Sequence, residues 1–223
     1  MFLGTGDGWS ARMLPISILQ EGDLDLDEFM DKDSMGDFNV FIPIRGDHFV
    51  SKFPVLSSIL ALPVYAIPYL LNLQFNTSLV LELAKTSAAL ITVLSAVFMY
   101  LIFRKYVSEK WSLVLTLLYA FGTSSWTISA QDLWQHGTEQ LFLAMTIYFA
   151  LQKVKTKQNM FIVGLCAGLT IAARYLGVIL IVPVAIYFLH KHRKYFLYFV
   201  SGITIPIALL ALYNTYYFGL PWV

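Results

Sequence analysis

From residue 84 onward the chain alternates apolar runs with short polar loops, the pattern of a protein that crosses a bilayer repeatedly. The first three runs are Ala84 to Phe103, Trp111 to Ser129 and Gly137 to Leu151. The loops between them alternate in charge. Arg104-Lys105-Tyr106-Val107-Ser108-Glu109-Lys110 is basic, Ala130 to His136 is not, and Lys153-Val154-Lys155-Thr156-Lys157 is basic again. Basic loops face the cytoplasm. A further basic cluster, His190 to Lys194, therefore returns the chain to the same side, and the apolar stretch Asn159 to Leu189 reads as a helical hairpin split near Arg174. Each arm, at ~15 residues and 1.5 Å per residue, is about 22 Å long. That is short of the ~30 Å hydrocarbon core, so Arg174 is expected below the outer surface. A last run, Tyr195 to Tyr213, ends in an aromatic loop.

The expected fold is an all-α polytopic membrane protein of about six transmembrane helices. Residues 84–223 form its transmembrane helical domain, and residues 1–83 a first external loop with interfacial helices. The interfacial reading concerns Phe53 to Leu71, where Pro54, Pro63 and Pro68 fall at spacings that interrupt a regular helix. Such a long external segment needs a carrier, so a transmembrane helix is expected upstream of Met1, and further spans downstream of Val223.

Composition supports the class. Hydrophobic residues make up 58% and charged residues 13% of 223, whereas soluble domains carry about a quarter charged. The formal charge of +1 conceals ten carboxylates against four basic residues before residue 54, with the positive excess all beyond it. That asymmetry speaks for sidedness across a membrane and against nucleic acid. Cys166 is the only cysteine, which rules out an internal disulfide and a cysteine-based zinc site.

Candidate chemistry begins at Asp7, a carboxylate between Gly6 and Gly8, where bare backbone leaves room for a substrate to approach a base. Arg12 follows, and Met13-Leu14 with Ile16 to Leu19 forms a short apolar face suited to rest on the membrane surface. The acidic run Glu21 to Glu28 lacks the glycine and the distant glutamate of a calcium loop and reads as a solvated turn. Lys52 stands at the edge of the interfacial segment as either a snorkelling anchor or a phosphate ligand. Arg174 needs an anionic partner at membrane depth, either an internal carboxylate, Asp132 or Glu139, or a lipid phosphate. Asp132, Trp134 and His136 share one external loop and are candidates for a substrate pocket.

In order and kind these residues resemble the integral-membrane C-type glycosyltransferases, the superfamily of protein O-mannosyltransferases and aminoarabinose transferases. The resemblance lies in Gly6-Asp7 with Ala11 to Pro15, in Ser51-Lys52-Phe53-Pro54, in Gln131 to Gly137, in Gly164 to Arg174, and in Tyr213-Asn214 with Phe218-Gly219. It implies a sugar donor carried on a polyprenyl phosphate, a glycan, lipid or protein acceptor, and inverting transfer on the non-cytoplasmic face, in the cell envelope or plasma membrane of a prokaryote. Asp7 takes the role of general base, and Arg174 and Lys52 that of donor-phosphate ligands. The phosphate is already a good leaving group, so no metal or other cofactor is called for. The alternative reading is a non-enzymatic membrane transporter or lipid handler with Arg174 on its substrate path. Spans nearly free of charge weigh against it.

Overall fold

In the computed structural model the described residues are 8–29, 40–41, 48–153 and 156–222. Eight α-helices account for most of them: α1 (Trp9–Gln20), α2 (Leu56–Leu70), α3 (Thr77–Phe103), α4 (Glu109–Gly122), α5 (Gln135–Ala150), α6 (Lys157–Ala173), α7 (Gly177–Lys191) and α8 (Phe196–Phe218). Two two-residue strands, β1 (Val40–Phe41) and β2 (Val50–Ser51), pair antiparallel in the first loop.

The helix ends follow local chemistry. Asn76 accepts a hydrogen bond from the Leu79 amide at 3.0 Å and starts α3 seven residues before the expected Ala84, so Glu82 and Lys85 lie within the helix. Thr156 caps α6 in the same way through the Asn159 amide. Helix α8 closes on Gly219, whose φ of +77° is the left-handed geometry that glycine adopts without strain. The expected break falls at Arg174, whose extended backbone ends α6. The run expected to reach Ser129 divides instead, with α4 ending at Gly122 and a five-residue π-helical turn following at Ser125–Ser129.

Only α3 and the stretch Arg193–Phe218 combine the length and hydropathy that spanning requires, and α4 to α7 are shorter, at 14 to 17 residues. Polarity is nevertheless distributed as lipid demands. Large apolar side chains point outward, among them Leu90 and Val93 on α3, Leu117 and Phe121 on α4 and Ile179 on α7, while Ser87, Thr92, Ser95, Thr146 and Thr170 are buried. Those hydroxyls are satisfied locally: Ser87, Thr92, Thr146 and Thr170 each donate to the carbonyl four residues back, and Ser95 meets the Tyr119 hydroxyl at 2.6 Å.

Helices α6 and α8 make the closest pairing. It depends on Gly164, Gly168 and Gly202: a Cβ on Gly164 would stand 2.8 Å from the Phe199 carbonyl carbon, and one on Gly202 2.7 Å from the Leu165 nitrogen. Small residues that admit backbone contact replace the hydrophobic drive that helices lack within lipid.

Two expectations for the first loop are corrected. Helix α2 runs unbroken through Pro63 and Pro68 rather than as several short helices, because α1, α3 and α5 pack along it and hold the turns that lose a hydrogen bond. Helix α1 does not rest on the membrane surface. Trp9, Met13, Leu14 and Ile16 are buried at 3% exposure or less, in one core with Ala61 and Tyr65 of α2, Val80 and Ala84 of α3, and Leu133. Pro15 inside α1 leaves the Ala11 carbonyl without its helical donor, and the Ser58 hydroxyl supplies one at 3.0 Å.

Candidate functional site

The helices gather the candidate residues of distant segments at one end. Arg12, on the second turn of α1, reaches Asp132 in the loop before α5. Its Nε donates to Asp132 Oδ1 at 2.8 Å and its Nη2 pairs with Oδ2, a fork matched to a carboxylate. The Leu133 amide donates to Oδ1 at 2.8 Å and the Trp134 indole to Oδ2 at 3.1 Å. The hydrogen bond from its guanidinium to Asp132 raises the Arg12 pKa above the usual arginine value. Gly8 is buried against the same carboxylate, and a Cβ there would lie 2.8 Å from Asp132 Cγ. Asp7, the residue just before it, lies outside the described residues.

Asp132 therefore serves Arg12, and Arg174 has the other internal carboxylate. Arg174 Nη1 stands 3.4 Å from Glu139 Oε2, with side chains 32% and 11% exposed. His136, one turn before Glu139 on α5, lies within electrostatic reach of both charges. Its ring sits 6.0 Å from that of Trp134.

Three cavities sit in succession on this side of the molecule. A small one, about 60 Å³, is lined by Ala11, Phe53, Pro54, Trp134, Gln135 and His136, among others. Phe53 and Pro54 also line a second, about 170 Å³, with Lys52, Tyr175, Tyr213 and Asn214. Tyr213 in turn lines a third, about 290 Å³, whose walls are apolar: Val55, Leu56 and Ile59 of the α2 region, Leu169 of α6, and Pro206 and Leu209 of α8. Lys52 is exposed. The buried Tyr213 hydroxyl has no hydrogen-bond partner among the described residues. Sequence reasoning missed Tyr175 and Tyr213. Neither stands out among 13 tyrosines until the helix packing brings both to Lys52.

A family model described as dolichyl-phosphate-mannose-protein mannosyltransferase matches residues 63–218, well over half of the chain. The chain belongs to that family. It is thus a membrane glycosyltransferase of the mannosyltransferase kind, and the resemblance read from its motifs holds at the level of the superfamily. The match covers α3 to α7 and all of α8, hence Asp132, Trp134, His136, Glu139 and Arg174, whereas Arg12 and Lys52 precede it. No curated protein and no solved structure matches the chain.

Proposed function

We propose that this mannosyltransferase-family chain transfers a sugar from a polyprenyl-phosphate donor to an acceptor at the non-cytoplasmic face, with inversion. The observation that carries the reading is the succession of cavities, an apolar groove opening on a lysine-bearing pocket that adjoins the Trp134–His136 loop. A polyprenyl chain fits the groove by its apolar walls, its phosphate falls beside Lys52, and the sugar extends towards the loop. The unpaired Tyr213 hydroxyl, between groove and pocket, is a donor for a phosphate oxygen. Arg174, next to Tyr175 of that pocket, contacts Glu139 through Nη1 and has four other N–H groups to offer the same phosphate.

In this scheme Asp7 accepts the proton of the acceptor's hydroxyl or amine as that atom attacks the anomeric carbon. The bond from anomeric carbon to phosphate oxygen breaks, and the polyprenyl phosphate leaves with the electron pair, its charge met by Lys52 and Arg174. Displacement from the opposite face inverts the anomeric centre. The Arg12–Asp132 pair positions the segment that carries Asp7: Arg12 lies one helical turn beyond Gly8, and Gly8 packs on the Asp132 carboxylate. In sidedness, the basic loops 104–110, 153–157 and 190–194 face the cytoplasm, and α3 to α8 make six crossings, the shorter ones through a bilayer thinned locally around them.

The test is sugar transfer from labelled polyprenyl-phosphate sugars in membranes containing the protein, with wild type, Asp7→Asn and Arg174→Ala side by side. Asn keeps the shape of Asp7 and removes the base, so transfer should fall by about 10²–10⁴ while donor binding persists. Arg174→Ala should chiefly weaken donor binding. Undiminished transfer by Asp7→Asn overturns the assignment of the base.

A further inference from the structure

The acidic run after α1 reads from sequence as a solvated turn, and the fold does something else with it. Asp25 is 6% exposed. His48, from the segment leading into β2, is carried across to it. His48 Nδ1 lies 2.7 Å from Asp27 Oδ2 and 3.4 Å from Asp25 Oδ2, and one ligand atom from each of the three residues falls within 4.8 Å of the others. Ions bound at about 2.0–2.2 Å by nitrogen and oxygen hold neighbouring ligand atoms roughly 3.0–3.5 Å apart, so this trio needs only a small opening to close on one.

A second observation concerns Asp25 alone. A carboxylate so thoroughly buried calls for short, strong donors, yet its neighbours, the Asp27 amide, the Tyr217 hydroxyl and His48 Nδ1, all stand at 3.4 Å. Burial, with Asp27 and Asp23 close by, pushes its pKa up, the mark of a carboxylate short of positive charge. The surroundings hold the trio in place. Tyr217, near the end of α8, accepts from the Leu24 amide at 3.2 Å, donates to Asp25 Oδ2, and meets the His48 ring edge to face at 6.0 Å. The Phe49 amide holds the remaining oxygen of Asp27 at 2.6 Å. Outer contacts of this kind orient ligands in metal sites.

We propose that Asp25, Asp27 and His48 bind a divalent transition-metal ion that ties the first external loop to the end of α8. The ion replaces the proton shared by His48 Nδ1 and Asp27, which is released on binding. One imidazole beside two carboxylates favours zinc or manganese over calcium or magnesium, which take oxygen alone. The site has no residue in common with the Arg12–Asp132 pair or with the three cavities, and its role is to fasten the loop.

The experiment uses the chain purified in detergent, stripped with EDTA, equilibrated with zinc chloride and desalted, with bound zinc measured by elemental mass spectrometry. Wild type and His190→Ala should each retain one zinc per chain, and His48→Ala and Asp25→Asn none. Zinc should raise the thermal midpoint of wild type and leave that of His48→Ala unchanged. His48 is half-exposed, so its loss is compatible with folding, and if Asp25→Asn does not fold, Tyr217→Phe replaces it, with zinc affinity lowered about 10–100-fold. Equal zinc in wild type and His48→Ala overturns the site. Retention of calcium in place of zinc and manganese overturns the class of metal.

Discussion

The Arg12–Asp132 pair allows a quantitative test of how the first loop is held to the transmembrane helices. Their side chains are 18% and 13% exposed, which places the pair between a surface salt bridge, at 0.2–1 kcal/mol, and a fully buried one, whose breaking costs 3–5 kcal/mol. Arg12→Ala leaves Asp132 with the Leu133 amide and the Trp134 indole, so its charge stays partly solvated, and a loss of about 2 kcal/mol is expected. Asp132→Asn strands a guanidinium over a neutral amide and should cost about 2–3 kcal/mol. In Arg12→Ala with Asp132→Asn neither charge is left alone. The double variant should therefore be less damaged than the sum of the singles by about 1–2 kcal/mol. The assay is unfolding by SDS titration in detergent micelles, followed through tryptophan fluorescence, to which Trp9 and Trp134 report from either side of the pair. Additivity within about 0.5 kcal/mol would refute the reasoning, since it would mean the fork contributes nothing beyond its two ends.

Gly8→Ala should lower sugar transfer at least tenfold, because its Cβ competes with the Asp132 carboxylate for one position; transfer rates in membranes decide it. Gly164→Ala should destabilise by about 1–3 kcal/mol or more, since the group it meets is Phe199 backbone that cannot swing aside, whereas Gly122→Ala, with only Leu118 Cδ2 at 3.8 Å, should be near neutral in the same SDS titration. Lys52→Gln should raise the KM for the lipid-linked donor about tenfold, the equivalent of 1.4 kcal/mol, and Lys52→Arg should largely preserve it; a KM unchanged in Lys52→Gln would mark the lysine as a membrane anchor. Glu139→Gln should cost about 1–3 kcal/mol of stability by leaving Arg174 unpaired in part-buried surroundings, and adding Arg174→Gln should restore part of it.

What the sequence by itself determined is what depends on neighbours along the chain. The apolar runs located α3 to α8, since a helix presents a face every few residues and needs no distant partner to show it. The interruption at Arg174 and the alternation of basic loops were legible for the same reason, and motif order was enough to name the superfamily. The local reading erred where packing overrides it, at Pro63 and Pro68, where neighbouring helices keep α2 whole, and at α1, whose apolar face meets α2 and α3 rather than lipid. Only the tertiary structure decided which charges meet. Both Asp132 and Glu139 were open to Arg174 until Arg12, 120 residues away, occupied the first. Tyr213, Tyr175 and Lys52 share a cavity, and His48 and Tyr217 close on Asp25, because helices α6 and α8 approach through glycines that bring the chain's end back beside its beginning. Periodicity is a property of a segment, whereas an ion pair or a cavity is a property of how segments pack, and its energy appears only once they do.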